Sequence, residues 1–447
     1  MEKRDSFASS FGVLVAMAGS AVGLGNLWRF PYLVGTNGGA AFIIIYLAIV
    51  FVLALPIMYA EFVVGRRAQS NVYGAFKKLA PGSKWGIIGV LAIVCCILIV
   101  SFYSVVGGWT IDYLVKSVTG AFGAGSTGFD AMFDHSVTSN FRPLFYMLLF
   151  VGISAAVLLA GVKDGIEKYS KVLMPLLFLM VVVIAIRSVT LPGAAGGVDF
   201  LFKPDFSKVT ANTILDALGQ AFFSLSVGFG IIFTYASYVN KSENVVKMSI
   251  QTSIADTLFA ILAGVAIMPA VFSFGISPSQ GPGLVFVTLP YVFAQLPLGS
   301  VMAAIFFFVL FVAAMTSAIS LLEVAVAYVI EEFKISRKAS VLLVVGIVLF
   351  LGVFCSLSQG VLGDVKILGN NIFDLFDKTT ANILIPVGAL LIVLFAGWKM
   401  KREDFIDEIT SGGKHKLNPL YLKVVIFSVR YLAPVVIAVI MLRTFIS

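Results

Sequence analysis

The stretch Ala18-Gly19-Ser20-Ala21-Val22-Gly23-Leu24-Gly25-Asn26-Leu27-Trp28-Arg29-Phe30-Pro31-Tyr32 decides how this chain is read. It lies in an apolar run, about 11–35, in which Arg29 is the single charged residue. A helix of roughly 20 apolar residues crosses a bilayer, so the run is long enough to span. Its middle is poor helix, because each glycine in a helix interior costs ~1 kcal/mol relative to alanine. Taken alone, Val22-Gly23-Leu24-Gly25 reads as small residues for close helix packing. A second interruption, Val227-Gly228-Phe229-Gly230, changes that reading. It falls in the sixth apolar run, and five spans later the chain runs the opposite way through the bilayer. Paired breaks in corresponding places point to a carrier with inverted repeats, its site built at the breaks. Unwound backbone at that depth is tolerated only inside protein or beside water.

The rest of the chain agrees with a membrane reading. Of 447 residues, 60% are hydrophobic and 12% charged, where a soluble domain carries ~25% charge. The expected fold is an all-α polytopic membrane protein of eleven spanning segments, near 11–35, 41–65, 87–115, 144–161, 167–187, 214–238, 247–275, 300–330, 340–357, 373–397 and 424–445. The stretch 283–295, with Pro282, Pro290 and Pro297 in and around it, reads as a helical hairpin in a loop, and 116–142 as the longest hydrophilic stretch. The first run is expected to be kept rather than cleaved as a signal, since Glu2 and Asp5 are out of place in a signal n-region.

Assigned alternately, the loops on one side collect most of the 31 basic residues, among them Arg66, Arg67, Lys77, Lys78, Lys399, Lys401 and Arg402. The positive-inside rule then puts the N-terminus in the cytoplasm and the C-terminus outside. Topology accounts for the net charge of +8 without nucleic acid. Cys95, Cys96 and Cys355 sit in apolar runs and imply no disulfide framework, and His135 and His415 lie far apart in loops. No zinc spacing, phosphate loop or nucleophile–base set suggests an enzyme or an ATP-driven pump. A channel would need a continuous polar pore, and a sensor usually adds a soluble domain; the sequence offers neither.

The first-helix run quoted above resembles the signature of the neurotransmitter:sodium symporters. The run Gly219-Gln220-Ala221-Phe222-Phe223-Ser224-Leu225-Ser226-Val227-Gly228-Phe229-Gly230, followed by Thr234-Tyr235-Ala236-Ser237-Tyr238, resembles the sixth helix of the same family. The resemblance covers essentially the whole chain, and eleven spans are the pattern of a bacterial subgroup. It implies a single transporter domain, 1–447, with broken helices 1 and 6. A five-plus-five inverted repeat (1–190 and 210–400) would be followed by an extra helix at 420–447. It implies symport of an amino acid with sodium by alternating access across the plasma membrane, with the oligomeric state open. A first sodium site would use Ala21 (carbonyl), Asn26, Ser224 and Asp256 with the substrate carboxylate. A second would use the carbonyls of Gly19, Val22 and Ala313 with Thr316 and Ser317. A hard cation of this kind favours about five or six oxygens.

Asp256 is the sharpest single residue, because a carboxylate inside a membrane helix costs several kcal/mol unless paired. In chloride-dependent relatives the matching position is Asn, so a fixed carboxylate here implies chloride independence. Proton coupling through Asp256 is the competing mechanism. Gly23 leaves room for a substrate that brings its own carboxylate. That carboxylate would meet the broken first helix, the sodium ion and the Tyr103 hydroxyl; helix N-termini favour anions. Ala21, Gly25, Ser224, Ser226 and Ser317 would complete the pocket with the apolar Ile99, Val106, Phe223, Phe229 and Leu321. That lining favours neutral hydrophobic or aromatic amino acids.

Phe223 and Tyr103 would form the lid. Arg29 would pair with Asp377 (or Asp374) as the outer gate, and Arg4 with Glu331 (or Glu332) as the inner one. Glu61 is expected to bond the unwound backbone. Gly165 and Pro175 resemble a Gly-x9-Pro element associated with local unwinding of segment 5, where proline loosens the preceding turn. Two sodium ions with a zwitterion, at 100 mV and a tenfold gradient, would supply ~7.4 kcal/mol, roughly 10⁵-fold accumulation.

Overall fold

The computed structural model describes residues 6–123, 125–275 and 284–446. Among these the chain is helical, with one isolated bridge, Ile367 to Asn370, outside the helices. Nine of the described helices are long and apolar enough to cross a membrane: Ala40–Ala68, Lys84–Val118, Arg142–Leu159, Val162–Val189, Val245–Ser273, Gly299–Phe333, Arg337–Leu357, Ile372–Lys399 and Pro419–Leu442. Ser10–Ala21 and Gly25–Thr36 pass the same test as a pair bent by 50°. In lipid each segment must satisfy its own backbone, so length and apolarity together become helix.

Helix starts are written locally. Side chains of Ser9, Asn244, Ser336, Asn371 and Asn418 accept backbone amides of the turn they open, each such cap being worth ~1 kcal/mol. Asn418, with Pro419 in the first turn, explains why the final helix starts before the expected 424. Four short helices decorate the bundle, Val72–Leu79, Phe129–Thr138, Ala195–Phe202 and Arg402–Ile409. The second lies in the stretch read from sequence as loop. Of the expected 283–295 hairpin, the described part from 284 to 294 is one continuous helical arm.

The Gly299–Phe333 helix is the axis of the bundle, with 83% of its most apolar stretch buried inside the protein. The helix broken between Ala21 and Gly25 packs beside it and beside Val245–Ser273 and Val162–Val189. The sixth apolar run is two helices, Ala211–Ser224 and Ile231–Ala236. Between them Ser226, Gly228 and Gly230 take positive φ of 55°, 99° and 84°. Glycine adopts this backbone without a Cβ penalty, and at Gly228 close approach adds a second reason. A Cβ there would lie 2.7 Å from the Ile385 carbonyl oxygen, and one on Gly388 would lie 2.0 Å from the Gly228 carbonyl oxygen. The break therefore seats backbone against backbone on the 372–399 helix.

Candidate functional site

The two breaks leave peptide groups outside any helix, and buried peptide groups must find partners. At the second break the amides of Gly228 and Phe233 donate to the fully buried carboxylate of Glu61, as its sequence position leads one to expect. The Phe229 carbonyl accepts from Cys96 Sγ at 3.2 Å. At the first break the Gly23 amide donates to Asn26 Oδ1 at 3.0 Å, and the Leu24 amide to the Tyr103 hydroxyl at 3.2 Å. The Ser20 carbonyl accepts from Ser226 Oγ at 3.0 Å and Ser317 Oγ at 3.2 Å. The Gly25 carbonyl accepts from Gln220 Nε2 at 3.1 Å. Side chains of the neighbouring helices thus hold both breaks in place.

A narrow cavity of about 30 Å³ opens between them. Ala21, Gly23, Gly25, Ile99, Tyr103, Phe223, Ser224, Ser226, Phe229, Ser317 and Leu321 line it, together with Ser20 and Ile231, which the sequence reading does not include. Val106 is placed elsewhere. It lines an outer cavity of about 280 Å³ with Leu24, Trp28, Arg29, Tyr32, Phe102, Phe373, Asp374 and Asp377. Tyr103, Phe223 and Gly25 border both spaces, so the two rings stand as a partition between them. The Tyr103 hydroxyl accepts from the Leu24 amide and keeps its proton to donate. A Cβ on Gly23 would lie 2.4 Å from Ser317 Oγ and 3.0 Å from the Tyr103 hydroxyl. Any larger residue there would fill the polar end of the cavity.

Beside that end, Asn26, Ser224 and Asp256 form one cluster. Asn26 Nδ2 donates to Asp256 Oδ1 at 2.8 Å and to Ser224 Oγ at 3.1 Å. Ser224 Oγ lies 2.9 and 2.8 Å from the two carboxylate oxygens, and the Tyr46 hydroxyl donates to Oδ2 at 3.4 Å. Asp256 is fully buried and these partners are neutral. A carboxylate at that depth, with hydroxyl and amide neighbours among the described residues, is costly without a counter-charge. The oxygens are hard donors that suit an alkali ion. Among the described residues no group of three His, Cys, Asp or Glu could hold a metal ion by those side chains.

The second expected cation set also lies together. Ser317 Oγ is 3.5 Å from the Val22 carbonyl oxygen, and Thr316 Oγ1, bonded within its own helix, is 3.1 Å from that of Ala313. A Cβ on Gly19 would stand 3.5 Å from Thr316 Cβ and 3.1 Å from Met174 Sδ. Met174 precedes Pro175 inside the Lys168–Val189 helix, so the neighbour of the helix proline covers this set. Over Val162–Glu167 the backbone winds wider than an α-helix. Gly165 in that turn packs so closely that a Cβ would lie 2.1 Å from the Val157 carbonyl oxygen.

The charged residues expected as gates are arranged differently from simple pairs. Arg29 and Asp377 line the same outer cavity, with no ion pair between them among the described residues; the Arg29 guanidinium lies 5.4 Å from the Phe223 ring centre. Arg4 falls outside the described residues. Glu331 accepts from the Asn71 amide at 2.7 Å, from Asn71 Nδ2 at 3.0 Å and from Ser70 Oγ at 3.1 Å, and Glu332 accepts from Asn71 Nδ2 at 2.9 Å.

Two acids escape the sequence reading. Glu323, fully buried, pairs with Arg337 at 2.6 Å and accepts from the Tyr238 hydroxyl at 2.8 Å. Its signal is the one used for Asp256, a lone acid inside an apolar run. The Glu167 carboxylate accepts from the Ala8 amide at 2.6 Å and Ser9 Oγ at 2.8 Å, and pairs with Lys171 at 2.6 Å. It ties the start of the first helix to the fifth span.

Comparison with known proteins gives concordant results. The family profile described as "Sodium:neurotransmitter symporter family" matches residues 4–127 and 134–447. The sodium-dependent transporter YhdH of Bacillus subtilis (strain 168) is 40% identical over 444 residues, covering 99% of this chain and 98% of that protein. A sodium-dependent transporter of Haemophilus influenzae is 38% identical, covering 98% of each. The crystal structure of MhsT in complex with L-phenylalanine superposes with a TM-score of 0.92 at 43% identity, covering 98% of this chain and 99% of that one.

Proposed function

The chain belongs to the sodium:neurotransmitter symporter family, and on that premise we propose that its cargo is a neutral hydrophobic or aromatic L-amino acid carried by alternating access. It is an integral membrane protein and a sodium-coupled symporter, not an enzyme. The observation that carries the choice of cargo is the cavity itself. One end gathers Gly23, the Tyr103 hydroxyl and Ser317, while the walls are Ile99, Phe223, Phe229 and Leu321. The polar end suits an α-carboxylate, the backbone carbonyls and Ser226 suit the ammonium, and the walls suit an apolar side chain. The similarity to a structure holding L-phenylalanine supports the same class.

In this reading two sodium ions accompany each cargo molecule. One would sit at Ala21, Asn26, Ser224 and Asp256, the other at Gly19, Val22, Ala313, Thr316 and Ser317. Asp256 would supply the negative charge that makes chloride unnecessary. Counting Ala211–Ser224 with Ile231–Ala236 as one broken span gives eleven spans. The repeats would run over 1–190 and 210–400 with an additional helix at 420–447, the N-terminus in the cytoplasm and the C-terminus outside. Arg29 with Asp377 would close the outer face, Arg4 with Glu331 the inner, and Gly165 to Pro175 would loosen to release the second ion.

Uptake into proteoliposomes from a mixture of the twenty amino acids, with an inward sodium gradient and gluconate in place of chloride, tests this reading. Accumulation of a few apolar amino acids that is lost when potassium replaces sodium supports it. Accumulation that requires chloride overturns the role of Asp256. Accumulation of charged amino acids overturns the cargo assignment.

A further inference from the structure

Arg430 is the twelfth residue of the Pro419–Leu442 helix, a span of high mean hydropathy. An arginine inside such a helix is costly unless a counter-charge meets it. Among the described residues it has no ion pair, and its Nε is buried without a hydrogen-bond partner. Instead its guanidinium lies 4.6 Å from the Trp398 ring centre and 5.7 Å from that of Tyr431. The Trp398 indole N–H donates to the Arg430 carbonyl at 2.8 Å, which fixes the tryptophan beside the arginine.

Arg430 borders a shallow surface cleft whose lining includes Gly397, Arg402, Phe405, Ile426 and Val429. A Cβ on Gly397 would lie 3.0 Å from the Arg430 Cα, so the bare glycine lets the two helices touch at the backbone. Lys399 and Lys401 flank the cleft in sequence. Of the acids on the Arg402–Ile409 helix, Asp404 and Asp407 pair with Arg67, and Glu408 pairs with Arg66 and Lys241. That leaves Glu403 alone against four cations. Beside the cleft, Trp398 is 55% exposed and Phe427 56% exposed, so its flank faces lipid.

From this we propose that the cleft binds one anionic glycerophospholipid, its phosphodiester held by Arg402 and Arg430 and an acyl chain lying along Ile426 and Phe427. Basic pockets between membrane helices take anionic headgroups in this way, and arginine matches phosphate oxygens in a planar fork. Trp398 packs on the Arg430 guanidinium and orients its fork while marking the interfacial level. The proposal rests on the topology above only for the leaflet, which is the cytoplasmic one.

The test uses the full-length purified protein and three probes: phosphatidylglycerol, phosphatidylcholine and inorganic phosphate. Native mass spectrometry counts retained lipid after delipidation and titration, on wild type, R402Q, R430Q and the double variant. Wild type is expected to retain one phosphatidylglycerol per chain in preference to phosphatidylcholine. Each single variant is expected to weaken that retention about fivefold, since a basic residue near the surface contributes ~1 kcal/mol. R402Q sits on an exposed helix start and keeps the test open if R430Q fails to fold. Equal retention of phosphatidylglycerol by wild type and R402Q overturns the proposal. Competition by millimolar inorganic phosphate overturns the lipid assignment in favour of a free-anion site. Sodium-dependent amino-acid binding, measured on the same samples, reports on the symporter reading separately.

Discussion

Replacing Asp256 by Asn (D256N) removes one charge from the Asn26, Ser224 and Asp256 cluster while keeping its shape. The carboxylate accepts from Asn26 on Oδ1 and from Tyr46 on Oδ2, with Ser224 between the two oxygens. An amide can present its oxygen to Asn26 and its NH2 to the Ser224 and Tyr46 hydroxyls, which accept as well as donate. Folding should therefore survive, and the loss should fall on sodium. A sodium ion in this site would lie within about 4 Å of the carboxylate, where the attraction is at least ~4 kcal/mol at an effective dielectric near 20. Allowing for relaxation around the amide, the sodium midpoint should rise between about ten- and a thousandfold. The assay is equilibrium binding of tritiated phenylalanine, titrated with sodium gluconate and then with sodium chloride. In gluconate the midpoint should move up by at least about tenfold. Chloride should restore part of the affinity, because a mobile anion can stand where the fixed one was lost. An unchanged midpoint in gluconate would refute the claim that Asp256 balances the ion.

Three other substitutions probe the cavity, the first helix and the partition. G23A places a methyl 2.4 Å from Ser317 Oγ, so binding of the amino acid should fall by about five- to 150-fold, as overpacking costs ~1–3 kcal/mol; isothermal titration on a variant with a near-wild-type melting temperature checks it. E167Q weakens the grip on Ala8, Ser9 and Lys171. Amide exchange over the start of the first helix should then rise by about fivefold or more, in line with loss of a cap, and unchanged exchange would count against an anchoring role. F223A opens the partition between the two cavities, so bound amino acid should dissociate faster with a smaller change in association rate, read by stopped-flow displacement.

The features legible in the sequence are those with a large penalty attached. Gly23, Gly228 and Gly230 stand out because glycine weakens helices, and Asp256 because a buried charge is expensive. Ile99, Tyr103 and Val106 share a face by helical phase, at spacings of four and three. Phase does not set depth: Val106 lies one turn further along, beyond the ring of Tyr103, and so lines the outer space. The clustering of Asn26, Ser224 and Asp256 came from family resemblance, since three residues this far apart in sequence have no local pattern to join them. Glu331 and Glu167 hold the backbone of distant helix starts, which spacing alone does not reveal. Arg29 shares a cavity with Asp377 but stands against the Phe223 ring, a choice of side-chain direction that residue types do not fix.

The partition between the inner cavity and the outer one is made by two side chains, and they are held unequally. Tyr103 is tethered to the Leu24 amide, whereas Phe223 is bounded by the Arg29 guanidinium and by open space on either side. Ring and rotamer flips take picoseconds to nanoseconds, while collective helix movements take microseconds to milliseconds. An arriving amino acid can thus be sampled and rejected many times before the bundle rocks once. Selection becomes a near-equilibrium comparison made ahead of the slow crossing, so discrimination between two cargoes should track their affinities for the cavity rather than their speeds of passage.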